Sequence, residues 1–124
     1  MNKPLDPAGK VAGAPYSPGL DTGTTLYVSG QVPLDPKTGK LVPGDIKAQT
    51  EQVFANLRDV LQTAGLSLHH VVKSTVFMTD LAEFGAMNEV YAKQMPAPYP
   101  ARSTVQVAAL PLGAKVEIEV IAVR

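Results

Sequence analysis

Apolar residues recur at helical spacing in two stretches of this chain, and both lie where proline is absent. From Asp45 to Ala64, the positions Ile46, Val53, Leu57, Val60, Leu61 and Ala64 fall on one side of a 3.6-residue period, which predicts an amphipathic helix. Asp45 is placed to cap it, because its carboxylate can accept the unpaired first-turn N–H groups. Gly65 stops it, since a left-handed closing residue costs glycine little. A second helix is expected from Leu81 to about Met95, with Asp80 and Glu83 at capping-box spacing and Pro96 just beyond its end. Of the eleven prolines, seven lie between Pro4 and Pro43 and the rest at Pro96, Pro98, Pro100 and Pro111, so long helices belong in the interval 44–95.

Elsewhere the period is two. Thr25–Ser29, Val71–Met78, Arg102–Val107 and Lys115–Val123 read as strands. Asp21-Thr22-Gly23 and Asp35-Pro36-Lys37-Thr38-Gly39 read as turns; in the second, Pro36 pre-sets φ and Gly39 tolerates φ > 0. The order of strands, helix, strand, helix, strands implies an α+β layer with two helices on one face of a sheet. In the last strand, Val116, Ile118, Val120 and Ala122 point one way and Glu117, Glu119, Ile121 and Val123 the other. Two helices cover one face only, so another copy of the chain is expected over Ile121 and Val123. Carboxylates at the edge of such an interface are candidates for chemistry.

Composition narrows the class. A length of 124 residues makes one domain, 1–124. Eleven Lys+Arg balance eleven Asp+Glu, without the basic excess that phosphate contacts demand, so no nucleic-acid partner is expected. The absence of cysteine removes disulfides, thiolate metal sites and a thiol nucleophile, and fits a reducing, cytoplasmic setting. No stretch approaches the ~18 apolar residues of a membrane span, and MNKPLDPAGK lacks the apolar core of a signal peptide.

Few residues can carry chemistry. Arg102 leads a polar strand side with Thr104 and Gln106; it is either a two-pronged receptor for a carboxylate or a solvated edge arginine. Asn88 interrupts the apolar stripe Leu81, Phe84, Tyr91, Met95, so its amide must be hydrogen-bonded if buried, to a loop or to a ligand. Gly30 in Ser29-Gly30-Gln31 marks a bulge or a close approach to the backbone. Tyr16, held between Pro15 and Pro18, is a rigid hydroxyl or a packing residue. His69 and His70 are adjacent at a strand start and point to opposite faces, a poor joint metal site. There is no phosphate loop, dinucleotide fingerprint or HExxH run. Spacing alone yields no reaction.

Four segments carry a resemblance. GAPYSPG at 13–19, YVSGQVPLDPKTG at 27–39, the run from Gln49 to Ala92, and PARSTVQVAALPLGAKVEIEVIAV at 100–123 resemble the RidA (YjgF) family of enamine/imine deaminases over almost the whole chain. The resemblance implies a chorismate-mutase-like fold, one mixed sheet backed by two helices, assembled as a homotrimer with a site in each cleft between subunits. It implies hydrolysis of reactive enamines and imines bearing a carboxylate, such as 2-aminoacrylate, to 2-oxo acids and ammonia, with no cofactor and no metal. By the same resemblance Arg102 grips the substrate carboxylate and Glu117 positions or activates water. Tyr16, Ser29 and Gly30 line the cleft, Asn88 supports it, and Thr104 stands where some members have cysteine. The segment holding Pro96, Pro98 and Pro100 is shorter and richer in proline than in the best-known members, and is expected near the cleft mouth. The competing readings are a non-catalytic trimer that binds small metabolites or acts like a chaperone, and an endoribonuclease, which the zero net charge disfavours.

Overall fold

The proline-free interval folds as its pattern requires in a computed structural model, which describes residues 1–7, 9 and 13–124. The end of the N-terminal stretch weighed above, at Ala8 and Lys10, lies outside the described residues. Helix α1 spans Ile46–Thr63 and α2 spans Phe84–Gln94. The strands are β1 (Lys3–Leu5), β2 (Gly19–Asp21), β3 (Thr25–Gln31), β4 (Val71–Met78), β5 (Ala101–Gln106) and β6 (Val116–Val123). They form one six-stranded sheet in the order β1-β2-β3-β6-β4-β5, antiparallel throughout except for the β4–β5 pair. The helix-backed α+β sheet is the one expected from the element order, and its mixed pairing agrees with what the resemblance implied.

Local chemistry sets the ends. Asp45 Oδ1 accepts from Ala48 N–H at 3.0 Å, and Gly65 closes α1 at φ 73°. The second helix opens with a 3-10 turn, Leu81–Glu83, capped by Asp80 Oδ1 on Ala82 N–H. No reciprocal capping box forms there, because the Glu83 carboxylate reaches instead to Lys115 Nζ, 3.6 Å away. Strands β1 and β2 carry no two-residue alternation long enough to be read from sequence; β2 is a strand by pairing with β3 across the Thr22–Gly23 turn, and β1 by pairing with β2. Asn56 on α1 donates to Val32 O and Leu34 O, which ties the segment after β3 to the helix layer.

One face of the sheet packs on the helices. Leu26, Val76, Met78, Val116, Ile118 and Ala122 meet Val53, Phe54, Leu57, Leu61 and Met87, all fully buried. Each such side chain contributes about 1.5–3 kcal/mol of transfer free energy. Among the described residues no layer covers the opposite face, and Tyr27, Val105 and Val123 are exposed there.

Candidate active site

Two groups of polar residues stand out, and they occupy different faces of the sheet. The first sits where α2 crosses edge strand β5. Phe84, Asn88 and Tyr91 follow one another by four and three residues along α2, so they share a stripe facing the sheet. Arg102 on β5 points at that stripe: its Nη1–H donates to Asn88 Oδ1 at 2.8 Å. Its guanidinium lies 4.5 Å from the Tyr91 ring centroid and 5.4 Å from that of Phe84. The Tyr91 ring is itself fixed, by a 2.6 Å hydrogen bond between its hydroxyl and Ser74 Oγ and by an edge contact with Phe54.

Arg102 is packed between these groups. It is half-buried, not a solvated edge residue. A half-buried guanidinium ordinarily needs a carboxylate to offset its lost hydration. The ion pairs among the described residues are Lys47–Glu89, Lys115–Glu83 and Arg124–Asp21, and Arg102 takes part in none of them. It is held by a neutral amide oxygen and two aromatic faces, each cation–π contact contributing about 0.5–2 kcal/mol. Its other N–H donors stay available to an external anion. Thr104, two residues along the same side of β5, buries its Oγ1 with no hydrogen-bond partner among the described residues.

The second group lies on the other face. Strand β3 is bulged between Val28 and Gln31 where it pairs with β6. The bulge brings Gly30 against Glu117: a Cβ at position 30 would sit 1.9 Å from Glu117 Oε2. The carboxylate therefore occupies the space a side chain would fill, which is the close approach that a glycine in a strand signals. Ser29 Oγ–H donates to Ser17 O at 2.6 Å, tying the Tyr16 loop to the bulge. Tyr16 is exposed and, with Gly30, lines a cleft walled on its far side by Asn56, Asp59 and Val60 of α1, away from Glu117. Burial pushes the Glu117 carboxyl above its ordinary pKa, and Glu119 two residues on adds like-charge repulsion.

Register separates the groups. Arg102 pairs across to Ser74, and Ser74 to Val120, both buried on the helix side. Glu117 pairs with Phe77, one step out of phase, and so faces away from the helices. The structure thus joins Arg102, Asn88 and Thr104 on one side and sets Glu117 against Gly30 on the other, with Ser29 beside Gly30 bonded to the Tyr16 loop. Within one chain it does not bring Arg102 to Glu117. Asn88 does what its place in an apolar stripe implied, binding another group's N–H. Tyr91, Phe84 and Ser74 escaped sequence reasoning as site residues, because an aromatic stripe on a helix reads as core. The available signal was the spacing Phe84–Asn88–Tyr91 itself.

His70 Nδ1 accepts from Ser67 N–H at 3.1 Å, a capping role. Among the described residues no group of three or more His, Cys, Asp or Glu could hold a metal ion, and no helix is long and apolar enough to cross a membrane.

Comparison with known proteins gives consistent results. Residues 8–124 match the family model described as Endoribonuclease L-PSP. The chain is 51% identical to protein DfrA of Myxococcus xanthus over 95% of its own length and 91% of that protein's. It is 46% identical to the 2-iminobutanoate/2-iminopropanoate deaminase of Mus musculus, covering 89% of this chain and 82% of the relative. Among solved structures, RidA from an Antarctic Psychrobacter superposes with a TM-score of 0.91 at 45% identity, over 98% of this chain and 99% of that one.

Proposed function

The chain belongs to the RidA/YjgF family, and from that premise we propose that it hydrolyses reactive enamine and imine intermediates, such as 2-aminoacrylate, to 2-oxo acids and ammonia. The observation that carries this reading is Arg102, a half-buried cation with neutral partners only and N–H donors to spare. That is the receptor a small carboxylate requires. The relative named a 2-iminobutanoate/2-iminopropanoate deaminase supports the substrate class.

The opposed placement of the two groups supports an assembly of several copies. A site that uses both Arg102 and Glu117 takes them from two copies, in a head-to-tail contact that closes into a ring. We read that ring as the homotrimer of single-domain chains, residues 1–124, with the exposed Tyr27 and Val123 face turned inward. In each cleft, Arg102 grips the carboxylate through two parallel N–H···O bonds, while Asn88 fixes the guanidinium. This orientation replaces a chance encounter with a held geometry.

The enamine first tautomerises to the imine, whose carbon is electrophilic. The partner's Glu117 takes a proton from water as the oxygen–carbon bond forms, and the C=N π pair moves to nitrogen. Glu117 then returns that proton to nitrogen, which gives the neutral carbinolamine. The hydroxyl proton next passes through Glu117 to nitrogen as the C–N bond breaks with its electron pair leaving on nitrogen, so that C=O forms and ammonia leaves. A carboxyl whose pKa is raised by burial is the stronger base for the first step. Tyr16, Ser29, Gly30 and Thr104 shape the cleft walls, Gly30 by leaving room for the carboxylate.

The test generates 2-aminoacrylate in situ with a serine-consuming pyridoxal-phosphate enzyme and follows pyruvate, with semicarbazide competing for the imine. The protein is expected to speed pyruvate release, and Arg102→Ala to return it to background. An unaccelerated wild type, also on bulkier imines, would leave the cleft a metabolite-binding site without chemistry.

A further inference from the structure

We propose that Tyr91 is a positioning residue for Arg102: its ring, locked by Ser74 and Phe54, is the surface that holds the guanidinium ready for an anionic ligand. The inference rests on reading Arg102 as a carboxylate receptor, and it assigns a task to a buried tyrosine that the mechanism leaves unused.

The geometry is layered. Ser74 is fully buried and pairs directly across from Arg102 on neighbouring strands. Its hydroxyl and that of Tyr91 meet at 2.6 Å, satisfying two polar groups that would otherwise be orphaned. Phe54 of α1 meets the Tyr91 ring at 77°, with centroids 5.6 Å apart, so a second helix braces the same ring. Contacts from two different elements thus set the ring's place, and the guanidinium stacks 4.5 Å from its centroid. Phe84 adds a second, more distant face at 5.4 Å.

The choice of neutral partners has a functional consequence. A carboxylate beside Arg102 would hold the side chain equally well, but it would occupy the fork and repel an incoming anion. An aromatic face attracts the cation through its quadrupole and uses none of its N–H donors. The stack with Tyr91 and the single bond to Asn88 therefore hold the side chain without consuming its capacity to bind a carboxylate. Long arginine side chains lose rotamer freedom on binding unless it was lost beforehand, and the stack removes it in the free protein.

The test separates this role from folding and from chemistry. Binding of 2-oxobutanoate, a stable carboxylate, is titrated by calorimetry against wild type, Tyr91→Phe, Tyr91→Leu, Arg102→Ala and the Tyr91→Leu/Arg102→Ala double variant, with hydrolysis assayed separately. Tyr91→Phe keeps the ring and drops the hydroxyl: it is expected to melt earlier, with its Kd within about twofold of wild type. Tyr91→Leu is expected to raise the Kd about tenfold. In the Arg102→Ala background the same change is expected to do nothing further, since Tyr91 acts only through Arg102. Equal loss in both backgrounds, an unchanged Kd in folded Tyr91→Leu, or no binding of 2-oxobutanoate by wild type would overturn the proposal. If binding follows the expected pattern and imine hydrolysis is absent, the positioning role stands and the deaminase reading falls.

Discussion

Mixing two inactive variants distinguishes a site shared between copies from one contained in a single chain. Arg102 and Glu117 face opposite sides of the sheet, so each working cleft is expected to take one from each of two neighbours. Arg102→Ala loses a two-pronged, charge-assisted grip of about 1.5–3 kcal/mol per bond, hence a rate loss of about 10²–10⁴-fold. Glu117→Ala loses the general base, about 10²–10⁴-fold as well. Either variant alone is therefore close to inert. After unfolding and joint refolding at equal amounts, a cleft has about one chance in two of an intact arginine and about one in two of an intact glutamate, so about one quarter of clefts recover both. The reciprocal arm dilutes wild type with an equal amount of the double variant. Shared sites then retain activity in about one quarter of all clefts, and sites within one chain in about one half. Pyruvate release from 2-aminoacrylate reads the activity, and differently tagged chains verify that mixed rings form. A variant mixture that stays at background, or a diluted wild type that keeps half, refutes the shared cleft.

Four further outcomes follow from the structure. In Gly30→Ala the new Cβ, 1.9 Å from Glu117 Oε2, must displace the carboxylate; hydrolysis is expected to fall about 10²-fold with 2-oxobutanoate binding preserved, and a parallel loss of both would place the effect elsewhere. Burial first and Glu119 second raise the Glu117 pKa; its proton is then held to higher pH, so kcat/KM is expected to fall with decreasing pH along an acid limb lying above that of a solvated glutamate. Glu119→Gln should shift the limb downward, and a limb that ignores this substitution contradicts the assignment. The same sign applies to folding: the native state binds the proton more tightly, so this group's contribution to stability declines as pH rises, and Glu117→Gln is expected to be more stable than wild type at pH 7 by denaturant melts. Thr104→Val removes a buried hydroxyl without a hydrogen-bond partner and is expected to gain about 1 kcal/mol in the same melts; a loss would mean the hydroxyl is satisfied in the assembled protein.

Much of the fold was legible in the chain because its determinants are local. The α1 period, the Asp45 cap and the Gly65 stop act within a few residues of each other, and they appear where expected. The alternation in β6 correctly assigned Val116, Ile118, Val120 and Ala122 to the core. Strand ends moved by one residue at β5 and β6, where pairing partners rather than propensity set the limits. The short β1 and β2 were invisible, since a three-residue strand is defined only by the strand it pairs with.

The candidate site divides along the same line. The residue types that carry it were visible in sequence: an arginine opening a polar strand side, an amide in an apolar stripe, a glycine between strand residues. What surrounds them was not. Whether Arg102 meets water, a carboxylate or an aromatic stack depends on Tyr91 and Phe84 arriving from α2, which packing alone decides. Whether the Glu117 pKa rises depends on a bulge that seats it against Gly30, far from Arg102's face. Side-chain identity and local period are properties of neighbours along the chain, and the sequence determined them here. Charge environment and facing are properties of neighbours in space, set by sheet register and helix docking, and only the tertiary structure decided them.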